Sequence, residues 1–300
     1  MNLPILGVVH LAEQRSIIER LVFRFVKKHI AGPASASALD AVRDINAKGL
    51  SATLTLLNDS VSNTAKARYN VNAYVQLIRQ ISRLNLDAAV SLRPVQVGCE
   101  VDRDLTRKNL EEIASSASEG KVTLWIEREG TSGIQDQFSL YRALRDRYGN
   151  VGIEIRPESE EAVRELNGSI EPDDMVKVRY YLGGTGKKMR KSTVGVYSDY
   201  IDRLLSKRAE VSVWEHDFDV IKKLATSKPN YKKKVSFEIP LGYSAKGLKR
   251  LQQCKLDLSV YVPFGKDWVP YLESRLAEGK KGRIAVALLD GKDDEHGNEG

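Results

Sequence analysis

Residues 71–92 read VNAYVQLIRQISRLNLDAAVSL, and the change of rhythm inside this stretch decides the fold. Tyr74, Leu77, Ile78, Ile81 and Leu84 recur at the spacing that puts them on one face of a helix. Residues 88–92 then form a short β-rich run. Working outward, comparable runs lie at 52–57, 122–126, 151–155, 175–181, 211–214, 235–239 and 256–262, which makes eight. Helical spacing returns between them, as at Phe138, Leu140, Tyr141 and Leu144. Strand, helix and strand repeated in this way require parallel pairing with the helices as crossovers. Eight such units within roughly 250 residues predict an α/β protein with a closed (β/α)8 barrel, the doubly wound open sheet being the alternative. A ninth apolar run at 283–289 falls outside the count and predicts a short terminal strand or a packing segment beneath the barrel.

The ends read differently. Residues 16–29 predict an amphipathic basic helix outside or below the barrel, and 291–300 a disordered tail. No Gly/Pro-rich linker divides the chain, so 1–290 reads as one domain. No run reaches the roughly 18 uncharged apolar residues of a membrane span, and the first residues lack the order of a signal peptide. A cytoplasmic protein is expected. Cys99 and Cys254 have no metal-ligand spacing and read as free thiols. The net charge of +7 suits an anionic ligand, membrane headgroups or nucleic acid.

In such a barrel, polar residues at or just past the strand ends face the ligand. Taken in order, these are Asn58, Asp59, Arg93, Glu127, Arg156, Arg179, His216, Glu238 and Tyr261. The arginines in this ring imply an anionic ligand such as a carboxylate or the phosphates of a cofactor. Gly183, Gly184, Thr185, Gly186, Lys187 and Lys188 lack the spacing of a phosphate loop and read as a flexible basic loop. No GxSxG, HExxH or CxxC occurs, which argues against the common serine hydrolase, zinc protease and dithiol chemistries. His10, His29 and His296 read as surface residues, whereas His216 stands at a strand end within Val213, Trp214, Glu215, His216 and Asp217.

A family resemblance rests on the C-terminal segment. Val260, Tyr261, Val262, Pro263, Phe264, Gly265, Lys266, Asp267 and Trp268, then Pro270, Tyr271, Arg275, Leu276, Ala277 and Glu278, resemble the last strand, loop and helix of the proline dehydrogenase family. The likeness continues upstream. Val178, Arg179, Tyr180, Tyr181, Leu182 and Gly183 are similar to the family's VRLVKG strand, and Glu215, His216 and Asp217 to its THN or THD turn. Phe237, Glu238, Ile239 and Gly242 resemble its FQMLYG segment, and residues 90–98 its VSVKLSxLG segment.

The resemblance implies a flavoprotein oxidoreductase of proline catabolism on a distorted TIM-type barrel. FAD would take a hydride from the carbon beside the ring nitrogen of proline, and electrons would pass to a quinone, with peripheral contact at a membrane. Arg179 would stabilise negative charge on the reduced flavin, and Arg275 would hold the substrate carboxylate, steadied by Glu278 one turn on. Tyr261 would wall the substrate ring. Arg156, Gly183, His216 and Glu238 fall on the cofactor side, and Arg93, Glu127, Tyr271 and Ser274 on the substrate side. The family carries two adjacent arginines where this chain has Ser274 and Arg275. Loss of one costs about 1.5 to 3 kcal/mol of charge-assisted bonding unless Arg93 or Arg156 substitutes. Arg93, Glu127, Arg156 and Glu238 also replace the family's lysine, aspartate and two glutamines. The alternative is therefore a diverged barrel that binds an anionic ligand or nucleic acid without redox chemistry; segments 187–191 and 232–234, read as basic loops, would serve it.

Overall fold

Every second residue of the central strands is apolar, as in Val176 and Val178 or Ile153 and Ile155, and these side chains are buried. On a pleated strand this alternation sends one set outward against the helices and the other into the lumen. A computed structural model describes residues 27–58, 61–127, 134–156, 168–179, 187–268 and 271. It forms a closed barrel of eight parallel strands in sequence order. These are β1 (Ser51–Leu56), β2 (Ala88–Leu92), β3 (Leu124–Ile126), β4 (Val151–Ile155), β5 (Met175–Arg179), β6 (Glu210–Trp214), β7 (Val235–Pro240) and β8 (Leu258–Phe264). The open-sheet alternative fails because β8 pairs with β1 from Ser51↔Ser259 to Leu56↔Phe264.

The helices follow the expected rhythm: α1 (Ser35–Asn46), α2 (Thr64–Arg83), α3 (Arg103–Gly120), α4 (Ile134–Arg145), α5 (Lys187–Ser206), α6 (Phe218–Ser227), α7 (Tyr231–Lys234) and α8 (Ala245–Gln253). Caps set several of their starts. Asn63 accepts from the Lys66 amide, Asp102 from Leu105, and Ser244 from Gly247, each supplying an acceptor to an otherwise orphan first-turn donor. Tyr74, Leu77, Ile78 and Ile81 of α2 are buried against the barrel, whereas Leu84 is its exposed C-cap.

The structure corrects two readings. Segments 187–191 and 232–234 lie in α5 and α7, so they are helical and not loops. His29 does not sit free on the surface; its Nδ1 donates to the Leu241 carbonyl at 2.7 Å, just past β7. Of the expected helix 16–29, only 27–29 are described, and these are helical. The run 283–289 and the tail lie outside the described residues. Cys99 and Cys254 are free thiols. Among the described residues, no helix is long and apolar enough to cross a membrane.

Close backbone packing shapes the end of the barrel where the strands finish. The Leu57 amide donates to the Phe264 carbonyl at 2.6 Å, so β1 and β8 run together to their tips. Gly265 follows with φ of 137°, and a Cβ there would stand 2.3 Å from the Leu57 carbonyl oxygen. Only glycine allows this approach.

Candidate active site at the barrel mouth

Contacts between strands that are not neighbours can form only through the lumen, and they identify the inward residues. Glu127, immediately after β3, is buried; its Oε1 accepts from Ser91 Oγ of β2 at 2.6 Å and from Tyr261 Oη of β8 at 2.8 Å. Burial alone would raise the Glu127 carboxyl. Arg179, the Ser91 and Tyr261 hydroxyls and Lys177 outweigh it, so the carboxyl lies below its ordinary value. The Tyr261 hydroxyl is held well above its ordinary value, by burial first and by the Glu127 charge second. Tyr261 therefore acts as a donor here. Tyr271, beyond β8, bears on the same hydroxyl.

A second carboxylate organises the arginines. Glu154 of β4 is 1% exposed; its Oε2 lies 3.8 Å from Arg179 Nη1, and its Oε1 lies 3.3 Å from Arg156 Nε. Two guanidinium groups at adjacent strand ends thus share one buried carboxylate. Burial raises the Glu154 carboxyl above its ordinary value against the opposing charge of Arg179, and Glu127 adds to the rise. Arg179 also lies over the Trp214 ring, 4.3 Å from its centroid, and Trp214 stands 5.9 Å from the His216 ring. This stack connects the fifth and sixth strand ends. The turn carrying His216 is fixed by Glu215, whose Oε1 accepts from the amides of His216 at 2.7 Å and Asp217 at 2.9 Å.

Beside these, Arg93 Nη2 donates to the Asn58 carbonyl at 2.8 Å. Gln96 fastens the tips of β1 and β2: its Nε2 donates to Leu56 O at 2.7 Å and to Asn58 Oδ1, and its Oε1 accepts from Tyr74 Oη at 2.8 Å. Asn58 Nδ2 is buried and has no hydrogen-bond partner among the described residues. Such a donor is costly unless a ligand satisfies it.

The structure therefore gathers Glu127, Arg179, Tyr261 and Tyr271, joins Arg156 to them through Glu154, and places Arg93 with Asn58 beside them. Glu238 is set apart: it is buried inside the barrel, paired with Lys177 at 2.7 Å. Asp59, Gly183, Ser274, Arg275 and Glu278 lie outside the described residues. The sequence reading missed Ser91, Gln96, Glu154 and Lys177. For Ser91, Glu154 and Lys177 the signal was present, since each is a polar residue alternating with apolar ones inside a strand.

No family model matches the chain. Among curated proteins it is 27% identical over 269 residues to proline dehydrogenase 2 of Bacillus subtilis (strain 168), covering 87% of this chain and 88% of that one. It is 23% identical over 289 residues to proline dehydrogenase of Deinococcus radiodurans, covering 91% and 92% of the two chains. Among solved structures, proline utilization A from Bdellovibrio bacteriovorus inactivated by N-propargylglycine matches with a TM-score of 0.75 at 14% identity, over 91% of this chain. This chain covers 34% of the length of that larger protein, and the likeness shows the barrel fold. The resemblance to proline dehydrogenases thus runs along most of the chain.

Proposed function

We propose that this chain is a flavin-dependent oxidoreductase of the proline dehydrogenase kind, oxidising proline or a related cyclic or secondary amino acid to the imine. The observation that carries this reading is the convergence of Glu127, Tyr261 and Arg179 at the mouth of a barrel similar in sequence to proline dehydrogenases.

The donor set fits FAD. Arg179, Arg93 and the buried Asn58 amide are donors at strand ends, suited to carbonyl oxygens and to the charge of a reduced ring. FAD, when bound, supplies the hydride acceptor. Arg179, Arg156, His216 and Gly183 hold it, and Glu154 fixes the two guanidinium groups. On the substrate side, Arg275 anchors the carboxylate with Glu278 behind it, and Tyr261 and Tyr271 wall the ring. Ser274 leaves that anchor weaker than an arginine pair. Arg93 and Glu127 complete the pocket. A quinone takes the electrons, with the protein meeting the membrane only at its surface.

The visible absorption spectrum of the purified protein tests the cofactor. Flavin bands that survive desalting, and are lost in Arg179→Met at unchanged melting temperature, support the reading. A colourless protein that stays colourless after incubation with FAD overturns it. That result favours the diverged, non-redox barrel, to which the Ser274 departure and the Lys177–Glu238 pair point.

A further inference from the structure

Strand β5 alternates Val176 and Val178 with Lys177 and Arg179, so two cations enter the lumen from one strand. Arg179 reaches the mouth. Lys177, two residues deeper, is 1% exposed, and its Nζ lies 2.7 Å from Glu238 Oε1 of β7, itself 1% exposed. The ammonium also sits 4.6 Å from the centroid of the Trp125 ring of β3. Trp125 occupies that place because residue 152 is glycine; a Cβ there would stand 2.5 Å from the indole. In the β4–β5 ladder, Lys177 is the register partner of Glu154. A buried lysine is costly to strip of water unless its charge is used. Here it stands among three inward carboxylates, which would otherwise repel one another: Glu238 by contact, Glu154 by register, and Glu127, which follows the Ile126↔Ile153 pair and so lies level with Glu154.

We propose that Lys177 is a positioning residue: held between Trp125 and Glu238, it is an internal counter-charge that, with Arg179 at the mouth, keeps Glu127 as the acceptor of the Tyr261 hydroxyl and so fixes Tyr261 there. This rests on reading Glu127 and Tyr261 as site residues. The groups that face Glu127 are Ser91 of β2, Tyr74 of α2, Glu154 of β4, Lys177 and Arg179 of β5, and Tyr261 of β8. Among the described residues Arg179 is the cation that acts on it more strongly and Lys177 the one that acts less, while Lys177, 1% exposed against 18% for Arg179, is the more deeply enclosed.

The test compares Lys177→Met, Lys177→Arg and Glu238→Gln by following the Glu127 side-chain carboxyl carbon against pH in glutamate-labelled protein. Its signal is identified by its absence in Glu127→Gln. Lys177→Met and Glu238→Gln both break the same pair, but only the first removes the cation. Lys177→Met is expected to raise the Glu127 midpoint by about one pH unit, roughly tenfold in its ionisation constant. Lys177→Arg restores it, and Glu238→Gln leaves it unchanged or lowers it. If both breaking variants raise the midpoint, or Lys177→Met does not move it, the pair is only structural and the proposal fails. Should Lys177→Met not fold, Glu238→Gln decides alone, a raised midpoint overturning the proposal. The midpoint is read without flavin or substrate, so it stands apart from the enzyme reading. Where turnover is measurable, the acid limb of kcat/KM moves with it.

Discussion

Tyr261 and Glu127 share a 2.8 Å hydrogen bond across the lumen, although 134 residues separate them. Strand β8 pairs with β7 and β1, and β3 with β2 and β4, so only a closed barrel brings the two together. The bond therefore ties the fold to the site. Tyr261→Phe keeps the ring and removes the donor, leaving Ser91 on the carboxylate. The loss of a hydrogen bond to a charged group, about 1.5 to 3 kcal/mol, corresponds to roughly a 10- to 150-fold fall in kcat/KM on the best substrate. A change within a few-fold would show that the bond serves the fold alone.

The carboxylate anchor is assigned to Arg275 on the sequence pattern. Arg275→Met retains much of the stem while removing the charge, and a buried anchor is worth about 2 to 5 kcal/mol in binding or transition-state stabilisation. Binding of a carboxylate inhibitor is expected to fall by roughly two orders of magnitude or more with little change in melting temperature. A surface arginine paired with Glu278 would give about 0.2 to 0.5 kcal/mol, which the same titration would expose.

Glu154 gives a pH dependence of determinate sign. Burial raises its carboxyl, so the folded chain holds the proton more tightly than the unfolded chain. The stabilisation is complete below the unfolded value and is lost as pH rises through the folded one. Glu127 behaves oppositely: its lowered carboxyl contributes stability above the unfolded value, lost as pH falls through the folded one. Glu154→Gln removes the first dependence and relieves Glu127 of a like charge, so both changes act in one direction. Relative to the unsubstituted protein, its melting temperature should improve as pH rises from about 4 towards neutrality. A difference that stays flat or falls over that range would contradict the assignment.

Gly152 tests the packing beneath the site. Alanine there places a Cβ 2.5 Å from Trp125 Cζ3 and 2.6 Å from Cε3, which the indole cannot accommodate without moving. Overpacking of this kind costs about 1 to 3 kcal/mol. Gly152→Ala is expected to lower stability to denaturant and to shift the Trp125 fluorescence, whereas Gly149→Ala, with no atom of the described residues within 4 Å, should do neither. Equal behaviour of the two variants would remove Gly152 from the account.

The fold was legible because its strands are short apolar runs at regular intervals, with helical spacing between. The strand starts moved by two residues at Leu124 and Leu258, and β5 is described only as far as Arg179. At the site, Glu127, Arg179 and Tyr261 were legible as polar residues on apolar strands. Glu154 and Lys177 carried the same alternation signal and were passed over, since a barrel interior is ordinarily apolar and a charge within a strand reads as solvent-facing. The partners of Glu154 are Arg156, two residues on, and Arg179 of the next strand, whereas Lys177 reaches Glu238 of β7, which is not a neighbouring strand and meets it only through the lumen. Gln96 was hidden for a related reason: its bonds to Leu56, Asn58 and Tyr74 span two strand tips and a helix.

The central claim is that this barrel oxidises proline or a close relative through a bound flavin. Anaerobic mixing of the FAD-loaded protein with L-proline, and then with other cyclic and secondary amino acids, tests it most directly. The account predicts that at least one of them bleaches the visible flavin bands in proportion to the imine formed, with L-proline requiring a high concentration because Ser274 replaces an arginine. A protein that binds FAD but keeps its bands unchanged with every member of that set would contradict it.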